Sequence, residues 1–358
     1  MGWLDTGGRG RDQGRAGGGD GRRERGECDA EMITKLRVRN FKSIHDLELD
    51  CRRVNILIGD AGAGRSNILE ALGLLASTAH GHQRDLLRFG AIEDLFRDLR
   101  IDRPISVSVT REDGKGAKET IPFTFRHVRG RFEGTIGSRK GAKPTLVADG
   151  REFLAWTKRP ELAFVRPYAF PRTELPPSPR PGPLVVPQGT NLASLVRTHD
   201  RIREIATSLL GSRGLEPRVM EDDLGLAVLK RVGGRTVAFP WSAVSGSLRR
   251  YLFHMAAIRS NSGATIVLDG PEEGIFPGYV QILGESLGRD RRNQYFVATD
   301  SPYLFESMVE KTMADELAVL VVRMQEHETT VRRLSNEELS ELLDMDPFYN
   351  FDKVMDDD

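Results

Sequence analysis

The stretch Val54–Leu72, "VNILIGDAGAGRSNILEAL", decides the fold that we expect of this chain. It begins with the mostly apolar run Val54–Ile58, which is typical of a strand buried on both faces in a parallel sheet. A glycine-rich segment follows, and then Ile68, Leu69 and Leu72 recur at the spacing of one helix face. A strand, a glycine loop and a helix in this order predict a phosphate-binding loop.

The segment "GDAGAGRS" has the spacing G-x-x-x-x-G-K-[ST] of such loops, with arginine at the lysine position. Glycines allow backbone amides to turn inward around phosphate oxygens, and the helix that follows presents the positive end of its dipole. The hydroxyl of Ser66 is expected to bind Mg²⁺. The predicted phosphate-binding residues are Gly59, Asp60, Ala61, Gly62, Ala63, Gly64, Arg65, Ser66 and Asn67. The alternative is a glycine-rich turn without a ligand.

Arg65 is the unusual residue of this loop. Lysine supplies a compact ammonium between the β- and γ-phosphates, whereas the guanidinium of arginine is wider, planar and binds as a fork. We expect phosphate binding to survive this replacement and the placement of a transition state to suffer from it.

A second part of the site is predicted from "ATIVLDGPEEGIFP". Four apolar positions precede Asp269, which is typical of a Walker B strand whose terminal carboxylate holds Mg²⁺. An aspartate that caps a turn before Gly-Pro is the structural alternative. We favour the metal role because of the strand context and the distance of about two hundred residues from the loop.

The remaining pattern predicts an α/β protein with one main domain over residues 32–345. Strands and helices alternate in the last third of the chain, which indicates a mostly parallel core sheet. Within residues 85–240 we expect an inserted lobe of antiparallel β-hairpins and helices, including a helix over residues 191–210. Residues 1–31, rich in Gly, Arg and Asp, are expected to be a disordered tail or to precede a true start at Met32. Residues 346–358 are expected to be an acidic tail.

Composition limits the classes of function. The 358 residues contain 52 Lys+Arg and 52 Asp+Glu, so contact with nucleic acid needs a local basic patch rather than a bulk positive charge. Cys28 and Cys51 give no disulfide framework. The apolar runs are too short to cross a bilayer, so we expect a cytoplasmic protein without membrane contact.

Several motifs in one order resemble a known family, the ABC-type ATPase heads of RecF, SMC and OLD-like proteins. The motifs, over residues 32–335, are "LRVRNFKSI", the phosphate loop, "SGSLRRYLFHMAA", "IVLDGPEEGIFP" and "FVATDSPYL". The resemblance implies a P-loop NTPase fold with an ABC-type head, a mostly parallel core sheet, an antiparallel β subdomain and a helical lobe. It also implies ATP and Mg²⁺ as ligands and a homodimer that forms on nucleotide binding.

In such a dimer, one subunit's loop faces the signature segment of the other. The resemblance implies that Ser245 and Gly246, with Ser247, approach the partner's γ-phosphate, although Val244 stands at the signature serine's own position unless Ser245 substitutes. Ser66 and Asp269 would serve Mg²⁺.

The departures from the family pattern concern hydrolysis. Arg65 replaces lysine, Gly270 replaces the glutamate that activates water, and Asp300 replaces a switch histidine. A carboxylate at residue 300 would repel a γ-phosphate by a few kcal/mol at an effective dielectric constant of about 20. Glu272 is our candidate for the missing catalytic carboxylate, with Glu273 as its neighbour.

Three hypotheses follow for the function. The first is an ATP-binding dimer switch with weakened hydrolysis, in DNA repair or defence. The second is a competent ATPase in which Glu272 or Glu273 supplies the carboxylate. The third is a pseudo-ATPase that binds no nucleotide and acts as an interaction scaffold.

Two further groups have competing explanations. Lys35, Arg37, Arg39 and Lys42 form a basic stripe that allows DNA as a partner, but solvated charges on an edge strand explain it equally well. His80 and His82 are expected to be solvated loop residues rather than metal ligands.

Overall fold

The computed structural model describes the chain in five segments, which are residues 32–81, 83–112, 116–137, 144–220 and 225–344. The predictions for residues 1–31, for His82 and for residues 346–358 lie outside these segments.

The strands of the described chain form three sheets. In chain order they are β1 Met32–Phe41, β2 Ile44–Asp50, β3 Val54–Gly59, β4 Ile105–Glu112, β5 Lys118–Val128, β6 Arg131–Ile136, β7 Leu146–Asp149, β8 Glu152–Trp156, β9 Val165–Tyr168, β10 Leu215–Val219, β11 Leu226–Val232, β12 Arg235–Pro240, β13 Thr265–Asp269, β14 Gln294–Ala298, β15 Leu317–Gln325 and β16 Glu328–Arg333.

The α-helices pack on these sheets. They are α1 Arg65–His80, α2 Gln83–Leu86, α3 Leu192–Thr198, α4 Asp200–Gly211, α5 Gly246–Ser260, α6 Pro277–Arg289, α7 Pro302–Lys311 and α8 Asn336–Asp344. Among the described residues, no helix combines the length and the apolar composition that crossing a bilayer requires.

The core sheet has the order β16-β15-β3-β14-β13-β9. All its neighbours are parallel except the antiparallel pair β15 and β16, so the prediction of a mostly parallel core is confirmed. Every residue of β3 is buried, as a strand covered on both faces requires. Ile56 and Ile58 belong to one hydrophobic cluster and Leu57 to the other, because successive side chains of a strand point to opposite faces.

The antiparallel sheet has the order β2-β1-β4-β5-β6-β7-β8. The antiparallel hairpins expected within residues 85–240 are present as β4–β8, and they extend the hairpin made by β1 and β2. The inserted lobe is therefore not separate, since its strands share a sheet with the N-terminal hairpin. Strand β9 also lies within the predicted insertion, yet it pairs in parallel with β13 at the edge of the core sheet.

Helix α1 lies between the two sheets and contacts β1 and β4 on one side and β3, β9, β13 and β14 on the other. Its residues Ile68–Ala79 are all buried, as expected of a helix covered on every face. This packing holds the start of α1 at the carboxyl end of β3.

The opposite face of the core sheet carries α5, α6 and α7, with α3 and α4 packed against α5. The helix expected over residues 191–210 is two helices, because His199 has an extended backbone (φ −110°, ψ 107°) between them. Strands β10–β12 form a separate small sheet next to α4.

Candidate nucleotide site

The phosphate loop connects the buried end of β3 to the start of α1. Gly64 is the N-cap of α1 with a left-handed φ of 102°, and a Cβ at this residue would lie 2.0 Å from Thr329 Oγ1. A Cβ at Gly59 would lie 2.1 Å from the carbonyl oxygen of Val322 on β15. Both positions therefore require glycine, and the sheet itself shapes the loop.

A chain of hydrogen bonds holds the loop from the side. Asn67 Nδ2 donates to Ser43 Oγ (2.7 Å), Ser43 Oγ lies 2.6 Å from Thr329 Oγ1, and Thr329 Oγ1 donates to the carbonyl of Ala63 (3.1 Å). Thr329 N also donates to the carbonyl of Ser43 (2.9 Å). Ser43 and Thr329 were not predicted as site residues. Ser43 lies in the quoted "LRVRNFKSI", but its contact with a residue 286 positions away leaves no local signal.

The predicted loop residues differ in exposure. Asp60, Ala61 and Gly62 are exposed, and Ala63 is buried. Residues 64–67 are half-buried in the first turn of α1, and a Cβ at Gly62 would meet nothing within 4 Å. The exposed part of the loop and the open start of α1 thus form a surface that an anion can reach.

The predicted metal ligands lie at the same edge of the core sheet. Ser66 is the second residue of α1, which follows β3, and Asp269 ends β13, with β14 between these two parallel strands. Asp269 is exposed, and its carboxylate has no hydrogen bond or ion pair with any described residue. A hydroxyl and a free carboxylate suit Mg²⁺, which binds through few protein oxygens together with phosphate and water. No group of three or more His, Cys, Asp or Glu side chains able to hold a metal occurs among the described residues.

Arg65 does not extend freely into the loop. Its Nη1 donates to the carbonyl oxygen of Thr299 (2.8 Å) and forms an ion pair with the carboxylate of Asp300. The Arg65 side chain is 11% exposed, whereas that of Asp300 is 75% exposed. Two of the predicted departures from the family pattern are therefore in contact, and their opposite charges neutralise each other.

Glu272, the predicted catalytic carboxylate, contacts the same segment. Its Oε1 accepts from Thr299 Oγ1 (2.6 Å) and from the backbone N–H of Asp300 (2.9 Å). Its Oε2 is buried without a hydrogen-bond partner among the described residues. Burial raises the pKa of Glu272, although these hydrogen bonds oppose the shift. The side chain connects the turn after β13 to the segment after β14.

Gly270, which the resemblance aligns with a water-activating glutamate, has a left-handed conformation with φ of 57°. Its N–H donates to the carbonyl of Ala298 (2.9 Å). A Cβ at Gly270 would lie 3.2 Å from Oε1 of the exposed Glu273, so the Glu273 carboxylate lies next to the position that a side chain at residue 270 would take.

The signature segment lies at the start of α5. Val244 is buried, whereas Ser245 is the exposed N-cap of this helix and its side chain makes no capping hydrogen bond. A Cβ at Gly246 would meet nothing within 4 Å. Ser247 Oγ instead accepts from the N–H of Phe276 (2.8 Å). Ser245, rather than Val244, therefore presents a hydroxyl and an open helix N-terminus to solvent.

Comparisons with known proteins agree with this geometry. Residues 32–152 match the family model described as "AAA ATPase domain". The chain is 30% identical over 108 residues to a DNA replication and repair protein RecF of Renibacterium salmoninarum. That match covers 27% of this chain and 27% of the relative, so it spans about a quarter of that protein.

Solved structures show the likeness of fold over most of the chain. An Smc head bound to the C-winged helix domain of ScpA superposes with a TM-score of 0.57 at 16% identity, covering 86% of this chain and 99% of that chain. An Smc head domain with an extended coiled coil, bound to the C-terminal domain of ScpA derived from Pyrococcus furiosus, gives a TM-score of 0.52 at 14% identity, covering 88% and 99%.

The chain has the α/β fold of an SMC head, and its residues 32–152 match an ATPase domain. This confirms the predicted fold class and the resemblance drawn from the motifs. The roles of individual residues stay predictions.

The basic stripe of the head is largely neutralised. Strand β1 lies between β2 and β4, so it is not an edge strand. Lys35 bonds to Glu48 (2.5 Å), and Arg39 bonds to Asp46 (3.0 Å) on β2. Lys42 pairs with the buried Glu70 instead. The stripe therefore offers little free positive charge to DNA.

The prediction for His80 is wrong. His80 ends α1 instead of lying in a loop, and its Nε2 is 3.0 Å from the carbonyl oxygen of Val165. Burial lowers the pKa of His80 to about 4, so the ring is neutral at pH 7.

The two loop glycines provide a matched test of the loop geometry. Gly64→Ala is expected to lower the free energy of unfolding by about 3 kcal/mol or more, because a strained φ combines with a steric clash. Gly62→Ala is expected to cost about 1 kcal/mol, since Gly62 has a positive φ of 83° but open space around it. Urea unfolding followed by circular dichroism measures both values, and equal losses would contradict the structure.

The raised pKa of Glu272 predicts a pH dependence of stability. Between the ordinary value of 4.5 and the higher folded pKa, the unfolded chain has lost this proton while the folded protein retains it. The contribution of Glu272 to stability is therefore fully present below pH 4.5 and declines as the pH rises through the folded pKa.

Glu272→Gln removes this titration while keeping an oxygen that accepts from Thr299 and Asp300. The melting temperature of the variant relative to the wild type should rise with pH across that window. Glu273→Gln, at the exposed neighbour, is the control for losing a carboxylate from this turn. A difference in melting temperature between Glu272→Gln and wild type that stays constant from pH 4 to 7.5 would contradict the raised pKa of Glu272.

Proposed function

We propose that this protein is an ATP-binding switch that forms a homodimer around nucleotide and hydrolyses it slowly or not at all. The observation that carries the proposal is the phosphate loop, whose backbone conformation is kept by Gly59 and Gly64 although its lysine is absent. Loop amides and the helix dipole bind phosphate without a side chain, so the replacement by Arg65 leaves this part of the site intact.

The start of α5 supports the dimer. Ser245 and Gly246 present an exposed hydroxyl and open N–H groups at the N-terminus of a 15-residue helix. An anion is stabilised at such a terminus, and in an ABC-type dimer that anion is the γ-phosphate held by the partner's loop. ADP lacks this phosphate and is expected to leave the protein monomeric.

Mg²⁺, when bound, supplies charge neutralisation for the phosphates. Ser66 and Asp269 would hold it, because one is a hydroxyl next to the loop and the other a free carboxylate at the end of β13. The residues of this chain orient the phosphates, while the position that activates water in hydrolytic relatives is Gly270, which has no side chain. Weak turnover follows from this loss.

The process is proposed from the relatives. The matched RecF is a DNA replication and repair protein, and this favours DNA repair over defence for this head. Because β1's basic side chains are paired with β2, a DNA contact would have to use another surface, such as one assembled by the dimer.

Calorimetric titration with MgATP, together with phosphate release, tests the proposal. Wild type is expected to bind MgATP, and Asp269→Asn is expected to bind it about tenfold more weakly in Mg²⁺ and equally without Mg²⁺. Light scattering should report a dimer with MgATP and a monomer with MgADP. Absence of any binding would instead support the scaffold hypothesis.

A second candidate function, a competent ATPase, is favoured by one observation. The carboxylate of Glu273 lies over Gly270, within 3.2 Å of the position where a side chain there would begin. A carboxylate at this place is suited to accept a proton from an attacking water.

Phosphate release by two variants separates the candidates. Under the switch proposal, wild-type turnover lies at least about 100-fold below a typical kcat of about 10 s⁻¹, and neither Glu272→Gln nor Glu273→Gln changes it. Fast wild-type turnover that Glu273→Gln lowers by about 100-fold or more would establish the second candidate. A comparable loss in Glu272→Gln alone would assign the role to Glu272.

A further inference from the structure

The contact between Arg65 and Asp300 has a consequence for which nucleotide the site prefers. These residues stand at the loop-cation and switch positions, and each is unusual for the family. Considered singly, Asp300 is a repulsive charge beside a γ-phosphate. In the structure its carboxylate pairs with Arg65, so it takes the cation that a terminal phosphate needs.

The fold places this pair at the site. Arg65 is the first residue of α1, directly after the loop, and Asp300 follows β14, which pairs in parallel with β3. The Arg65 side chain is 11% exposed, and its guanidinium is held from two directions, by the carbonyl of Thr299 and by the Asp300 carboxylate. The guanidinium of Arg65 therefore contacts residues 299–300 instead of extending along the phosphate loop.

The backbone that carries Asp300 is itself held. Glu272 Oε1 accepts from the N–H of Asp300 and from Thr299 Oγ1, and Thr299 Oγ1 accepts from the N–H of Ser301 (3.0 Å). Ser301 in turn caps α7 by accepting from Leu304 N (3.4 Å). The position of the Asp300 carboxylate is therefore set by the structure, while its 75% exposure leaves it solvated.

We infer that Asp300 is a specificity-determining residue that makes the isolated site prefer a nucleoside diphosphate over a nucleoside triphosphate. The α- and β-phosphates of either ligand bind the loop amides, which need no side chain. A γ-phosphate adds charge where the local cation is already neutralised and a carboxylate lies close by, so it gains little and must displace Asp300 from Arg65.

This inference rests on the proposed function and deepens it. The Asp300 carboxylate of this ion pair is exposed to solvent, so a phosphate can displace it from Arg65. The γ-phosphate is bound well only when the N-terminus of the partner's α5, at Ser245, adds a second source of positive potential. Asp300 thereby couples triphosphate binding to dimer formation. Dimer formation raises the affinity for the triphosphate, and the triphosphate raises the affinity of the dimer by the same factor.

The test is equilibrium binding of MgADP and of a non-hydrolysable Mg²⁺–ATP analogue to the full chain, at concentrations where light scattering reports a monomer. Wild type is expected to bind the diphosphate about tenfold more tightly. Asp300→Asn, which removes the charge and keeps the size of the side chain, should shift the ratio of the two dissociation constants by about tenfold or more toward the triphosphate.

Glu306→Gln is the matched control, because it removes one exposed carboxylate from α7, further along the same segment. It should leave the ratio unchanged, and thermal unfolding of both free variants should show that each is folded. A wild type that prefers the triphosphate, or an unchanged ratio in Asp300→Asn, would overturn the inference while leaving nucleotide binding intact. Failure of wild type and Asp300→Asn to bind either ligand would overturn the proposed function and the inference with it.

Discussion

The burial of α1 between two sheets is the constraint on which the rest of the structure depends. One sheet supplies the strand that enters the phosphate loop, and the other covers the far side of the helix. The middle of the helix is buried on all faces, so the helix cannot rotate or slide without exposing buried side chains to water. Its N-terminus is therefore held rigidly at the edge where β3, β13 and β14 end.

This arrangement explains why the phosphate loop persists without its lysine. The loop is shaped by contacts to backbone and hydroxyl groups, such as the approach of Gly59 to Val322 and of Gly64 to Thr329. Backbone amides bind phosphate whichever residue follows the last glycine. Proton transfer, by contrast, depends on one carboxylate in one place, and under the proposed function that place is residue 270, where glycine has no side chain. Binding and hydrolysis therefore depend on different parts of the sequence.

The sequence was sufficient to predict the core of the fold, because local patterns report it. The apolar run of β3, the glycine spacing and the helical spacing of α1 all lie within nineteen residues. The pairing of β9 with β13 and the contact of Ser43 with Thr329 could not be predicted, since both join residues that are far apart in the chain. The break at His199 was also missed, because apolar residues keep a helical spacing through it.

Arg65 and Asp300 show the same limit within the site. From the sequence alone each is a separate departure, and a carboxylate at residue 300 predicts only repulsion of phosphate. Once the two are known to be in contact, their charges are seen to cancel, and the pair connects the segment after β14 to the loop. The proposed phosphate site has therefore kept a cation, Arg65, but that cation is already paired with Asp300.

A crystal structure of the full chain with MgADP tests this claim most directly. The account predicts the β-phosphate within hydrogen-bond distance of the amides of residues 62–66, with the Arg65 guanidinium still paired with Asp300. A guanidinium turned onto the phosphate with Asp300 released, or a nucleotide bound away from the loop, would contradict it.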